Sequence, residues 1–193
     1  MLRLPNRAWA RSLPGIVRSP TARCWLQDQG SLTARLQQHG SFKLDLLSQK
    51  QMPVSRDEAG QFGMRAGQQV QARHVVLFSN ELPVVFAHSV LPNDPTGVLS
   101  RWFARMGSRS LGARLFANPG FRRGPLEYRR IDCRHPLFAA AVIALGLPSE
   151  TRTRLWARRR FFHFGRQRVL VTEIFSPTLL SARCSPADPV PVV

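Results

Sequence analysis

Leu155-Trp156-Ala157-Arg158-Arg159-Arg160-Phe161-Phe162-His163-Phe164-Gly165-Arg166-Gln167-Arg168-Val169-Leu170-Val171-Thr172-Glu173-Ile174-Phe175 reads as two β-strands folded back on a turn at Gly165-Arg166-Gln167. In the second strand alternate residues share a face, so Glu173 projects with Val171 and Phe175 while Leu170, Thr172 and Ile174 project the other way. Both faces are apolar enough to be buried. A lone ionised carboxylate there costs several kcal/mol or shifts its pKa, so Glu173 needs a partner or a function. The chain has 11 acidic residues, and the others sit in more polar sequence surroundings.

Upstream, residues 70–78 and 83–91 form a second β-rich pair joined by Ser79-Asn80-Glu81-Leu82, a hairpin signature. Within it Arg73 shares a face with Val75 and Leu77, another ionic group on an apolar strand face. Its planar fork suits a carboxylate, and it stays charged when buried. Spacing alone leaves three readings open: Arg73 and Glu173 pair with each other, their faces are wet, or they serve a ligand.

The remaining elements are shorter. Ser31 is a candidate N-cap for a helix running to about His39, and Phe42, Leu44 and Leu46 alternate as a first strand. Residues 50–68 mix Pro53, Gly60, Gly63 and Gly67 with charge and read as an irregular excursion. Residues 94–106 read as a capped helix, 110–116 as a turn, 126–131 as a strand, and 135–146 as an apolar helix ending at Gly146. Hairpins with intervening helices predict an α+β fold: a six-stranded antiparallel sheet with helices mainly on one side. The expected organisation is a basic N-terminal arm over 1–27, a domain over 28–180, and a disordered tail over 185–193 carrying Pro186, Pro189 and Pro191.

Composition limits the function classes. A chain of 193 residues buries roughly 70% of its unfolded surface as one domain. Its net charge of +17 attracts polyanions. The charge is scattered, however, with one dense run at Arg158-Arg159-Arg160, and no nucleic-acid-binding motif accompanies it. The first 27 residues lack acids, as a mitochondrial presequence does, but Pro5, Pro14 and Pro20 interrupt the helix such a signal needs. Cys24, Cys133 and Cys184 share no paired spacing and read as free thiols in a reducing compartment. The histidines show no metal-ligand spacing, and no phosphate loop or nucleophile elbow occurs. No metal, redox cofactor or covalent nucleophile is expected, and no membrane span.

Five segments in order resemble the chorismate pyruvate-lyase family. They are Gly30-Ser31-Leu32-Thr33-Ala34-Arg35-Leu36, Ala72-Arg73-His74-Val75-Val76-Leu77, Ser110-Leu111-Gly112-Ala113-Arg114-Leu115-Phe116, Leu155-Trp156-Ala157-Arg158-Arg159, and Val171-Thr172-Glu173-Ile174-Phe175-Ser176-Pro177. The resemblance implies a cytoplasmic, monomeric lyase that splits chorismate into 4-hydroxybenzoate and pyruvate in ubiquinone synthesis, its ligand enclosed under helical flaps. Arg73 would hold the ring carboxylate and Glu173 the ring hydroxyl, as catalytic and binding residues. Leu32 and Leu111 would line the carboxylate end through backbone N–H groups. Leu32 replaces a common Met, and His88 an Arg found in some relatives. That leaves Arg158, Arg159 and Arg160 as candidate partners for the enolpyruvyl carboxylate. Residues 132–153 form an apolar extension. The competing classes are a polyanion-binding module without turnover and a catalytically inactive aromatic-acid binder on the same fold.

Overall fold

The computed structural model describes residues 8–94, 96–107, 109–149 and 154–184. In chain order these form α1 (Pro20–Gln27), α2 (Leu32–His39), β1 (Phe42–Pro53), α3 (Arg56–Phe62), β2 (Gln69–Ser79), β3 (Leu82–Pro92), α4 (Val98–Ala104), α5 (Leu111–Ala117), β4 (Arg122–Arg123), β5 (Glu127–Ile131), α6 (Phe138–Ala144), β6 (Leu155–Phe164), β7 (Gln167–Phe175) and α7 (Pro177–Ser181). The expected tail over 185–193 and the first seven residues lie outside the described residues.

The strands make one antiparallel sheet in the order β1-β2-β3-β7-β6-β4, with β5 also on β6. Six strands were expected and seven form. The edge partner of β6 is broken in two: β4 pairs with Phe162 and His163, and β5 with residues 155–159. Gly124 and Pro125 lie at the break, where the Gly124 N–H still donates to Phe161 O at 2.8 Å and Pro125 has no N–H to continue the ladder.

Two hairpins set the register. Asn80 and Glu81, at φ 49° and 64°, form a two-residue turn whose twist matches its strands, so Arg73 falls opposite Ser89. Gly165, at φ 56°, turns β6 into β7 and places Arg158 opposite Glu173.

One face of the sheet carries Val75, Leu77, Ala87 and Phe175, which pack under α1, α2 and α7 through Trp25, Leu26, Leu36 and Leu179. Trp25 and Leu26 are fully buried, so residues 20–27 belong to this core. Each such large apolar side chain stabilises the fold by roughly 1.5–3 kcal/mol. Leu91, Phe162 and Val169 extend the same face beneath α4 and α5. The opposite face is covered by α6, through Phe138, Ala141 and Val142 over Phe86, Ala157 and Ile174, and by α3 over Val70, Ala72 and Val90. Five of the described helices thus share one face, as expected. The extension after Asp132 supplies the α6 cover of the other.

Three local readings change. Residues 50–68 are not irregular: β1 runs to Pro53, and α3 follows behind a capping box in which Ser55 and Glu58 satisfy each other's backbone N–H. The Gly63 φ of 67° ends that helix in the left-handed conformation. The segment read as a turn at 110–116 is α5, capped by Ser110. Cys24 and Cys184 form a disulfide, with Cα atoms 6.2 Å apart, while Cys133 is free and exposed. The sequence separation of 160 between the two cysteines hides this pairing, because the packing of α1 on α7 brings them together.

Candidate active site

The face under α2 and α5 encloses a cavity. Its floor carries Arg73 and Val75 from β2, Ala87 and Ser89 from β3, Val171 and Glu173 from β7, and Phe162 from β6. Its roof is Leu32 and Thr33 at the start of α2, and Ser110, Leu111 and Gly112 at the start of α5. All four residues singled out from the sequence, Leu32, Arg73, Leu111 and Glu173, line this one space. Its free volume is about 40 Å³. That is room for a few ordered waters between the roof and the sheet, in a space that is partly open to solvent.

Arg73 is 1% exposed. Its Nη2 donates to Gly107 O at 3.0 Å and Arg109 O at 2.8 Å, in the connection between α4 and α5. Its Nε has no hydrogen-bond partner among the described residues. Burial pulls its pKa down to about 10. The guanidinium therefore remains charged at neutral pH, deep in the fold, with no carboxylate partner among the described residues.

Glu173 does not answer Arg73. Its Oε2 accepts from Arg158 Nε at 2.5 Å, directly across the β6–β7 ladder. Arg158 is buried and spends its Nη1 on the carbonyls of Trp25, Leu26 and Asp28. The anomalous carboxylate is thus held by an arginine anchored to the end of α1. Strand β3 separates β2 from β7, and the register offsets Arg73 from Glu173 by two residues. Strand spacing then puts their Cα atoms roughly 12 Å apart.

The roof has its own chemistry. Leu32 and Leu111 are the first residues of their helices, and Ser31 and Ser110 cap them by accepting from Ala34 N and Ala113 N. The backbone N–H groups of first-turn residues have no partner within the helix, so both helices present donors where they meet the cavity. The Thr33 and Ser110 hydroxyls share a 2.8 Å hydrogen bond that ties the two helix starts together.

Several positions around the cavity carry little sequence signal of their place there. Thr33, Ser89 and Ser110 carry no signal beyond helix capping or strand alternation. Arg158 was legible in principle, since the turn at Gly165 fixes the partner of every β6 residue. Of the candidate cations for a second carboxylate, Arg159 lies on the opposite face, bound to Glu127 and Asp57 at 2.8 Å each. His88 also faces away, sharing a 2.8 Å hydrogen bond with Glu58. Glu58 is itself buried, contrary to the polar surroundings its sequence suggested. Burial alone would raise its carboxyl, but hydrogen bonds and charge from His88, with the Ser55 hydroxyl and N–H, hold it at about 2.

The chorismate lyase family profile matches residues 4–184. The chain belongs to the chorismate lyase family. A probable chorismate pyruvate-lyase of Dechloromonas aromatica is 42% identical over 172 residues, covering 89% of this chain and 95% of that protein. One of Nitrosospira multiformis is 38% identical, covering 84% and 89%. Among solved structures, the effector domain of PhnF from Mycobacterium smegmatis aligns with a TM-score of 0.54 at 18% identity, over 78% of this chain and 91% of that one. The C-terminal domain of the histidine utilization repressor from Pseudomonas syringae pv. tomato aligns at 0.52 and 16% identity, over 72% and 93%. These two share the fold. In this member of the chorismate lyase family, the matched region contains every element that builds the cavity.

Proposed function

We propose that the chain is a chorismate pyruvate-lyase that converts chorismate to 4-hydroxybenzoate and pyruvate, feeding ubiquinone synthesis, and that it acts as a cytoplasmic monomer. One observation carries the assignment. One cavity holds a buried arginine with no carboxylate partner among the described residues and, at its other end, a carboxylate oriented by a second arginine.

Arg73 pairs with the ring carboxylate, assisted by the backbone N–H groups of Leu32 and Leu111. Glu173 accepts the hydrogen bond of the ring 4-hydroxyl. The two groups fix the substrate ring across the sheet. The ring C3–O bond then breaks, the C4 hydrogen moves to the methylene carbon of the leaving enolpyruvyl group, and pyruvate and an aromatic ring result with atoms balanced. Aromatisation drives the step, so orientation and electrostatic support suffice and no metal or cofactor is needed. In this scheme Glu173 positions the substrate and is not the base.

The test is to incubate the purified protein with chorismate and measure both products. Equimolar 4-hydroxybenzoate and pyruvate are expected. A folded protein releasing neither is not this lyase, and retention of full turnover by Arg73→Ala would remove Arg73 from the site.

A further inference from the structure

Five arginines are buried among the described residues: Arg35, Arg73, Arg158, Arg159 and Arg160. Burying a guanidinium without a counter-charge is costly, and three of the five have a carboxylate: Arg35 has Asp28, Arg158 has Glu173, and Arg159 has Asp57 and Glu127. Arg73 faces the active-site cavity. Arg160 is the remaining case, with no carboxylate salt bridge among the described residues.

Arg160 lies on the same sheet face as Arg158, one strand repeat toward the β6–β7 turn. It lines a separate concavity of about 490 Å³ together with Arg11, Gln29, Arg123, Leu126 and Tyr128. Among the described residues its hydrogen bonds go to neutral acceptors of one residue, Gln29 Oε1 at 2.5 Å and Gln29 O at 3.2 Å, and its Nε has no partner. Arg123 reaches the same Gln29 carbonyl at 3.4 Å. Three guanidiniums thus converge on one hollow, none of whose described lining residues is acidic. Like charges gathered this way repel each other unless an anion joins them.

We propose that the concavity of Arg11, Arg123 and Arg160 is a binding site for one small oxyanion, a carboxylate or a phosphate group, separate from the active-site cavity. Guanidinium forks recognise both groups by parallel charge-assisted hydrogen bonds. The Leu126 and Tyr128 side chains leave room beside the anion for a small organic body. Gln29 stands just before Gly30 and Ser31, which lead into α2 and the roof of the active-site cavity. An anion drawing Arg160 away from Gln29 would act on the start of that roof.

The test follows the Gln29 and Gly124 amide resonances during titration with inorganic phosphate or with acetate, at constant ionic strength. Arg160 supports the core, so the variant is Arg11→Ala/Arg123→Ala, two exposed positions. Arg65→Ala/Arg166→Ala removes the same charge elsewhere. Saturable shifts are expected with at least one anion, weakened by about tenfold or more in the first variant and unchanged in the second. The anion that saturates at lower concentration names the ligand class. No saturable shift with either anion, or equal weakening in both variants, would overturn the proposal.

Discussion

Arg158 and Glu173 face each other across the β6–β7 hairpin with Nε and Oε2 2.5 Å apart, and the same guanidinium holds three carbonyls around the end of α1. The carboxylate of the cavity is therefore an extension of the core. Arg158→Met should destabilise the protein by about 3 kcal/mol, since it strands a largely buried carboxylate and three carbonyls. Glu173→Gln keeps an acceptor for Arg158 and should cost clearly less. Urea denaturation of both variants checks the order. In turnover, Glu173→Gln should retain much of kcat and raise KM by about tenfold, the worth of one hydrogen bond to a charged group. Complete loss of kcat would make Glu173 the base.

Arg73 serves two ends, the ring carboxylate proposed above and the carbonyls of Gly107 and Arg109. Arg73→Lys keeps the charge but loses the fork, and should lower kcat/KM by about 100-fold or more. Hydrogen exchange around residues 107–111 should quicken in the same variant. Unchanged exchange would show that the α4–α5 connection is held by other contacts.

Thr33 and Ser110 join the two roof helices over the cavity through a hydroxyl hydrogen bond of 2.8 Å. Thr33→Val should loosen the roof, speeding product release and weakening substrate binding several-fold. A double-mutant cycle of Thr33→Val with Ser110→Ala should return a coupling of about 1 kcal/mol in product affinity. Additive effects would mean that the hydroxyl pair does not act as a unit.

Burial lowers the pKa values of His74 and His135 from 6.5 to about 4. As pH falls below 6.5 the unfolded chain takes up protons at both rings that the folded chain refuses until about 4. Stability should therefore drop across that window. Glu58, held at about 2 against an ordinary 4.5, extends the loss as pH falls from 4.5 toward 2. Thermal melts from pH 7 to 3 should show Tm falling throughout, and His74→Leu should flatten the slope between 6.5 and 4. A flat wild-type profile there would contradict the burial of both rings.

Alternation in the two hairpins was enough to set Arg73 and Glu173 on apolar strand faces, and Ser31 was legible as a cap from its place before an amphipathic run. What stayed hidden depends on contacts between distant segments. Pairing Cys24 with Cys184 requires α1 to pack on α7, and both of those helices begin at a Pro that reads locally as a break. The excursion after Lys50 concealed α3 because its glycines outweighed the Ser55–Glu58 box. The split of the β6 edge into β4 and β5 turns on Gly124 and Pro125, whose effect appears only once the partner strand is known. The resemblance supplied the roles of Leu32 and Leu111, which no periodicity would single out. In the structure both are first residues of helices that line the cavity.

The most direct test of the account is the structure of the protein crystallised with 4-hydroxybenzoate. The ring should lie between α2, α5 and the sheet, its carboxylate within hydrogen-bond distance of Arg73 and of the Leu32 and Leu111 N–H groups, and its hydroxyl on Glu173. A ring bound in the reverse sense, or outside this cavity with Arg73 and Glu173 untouched, would contradict it.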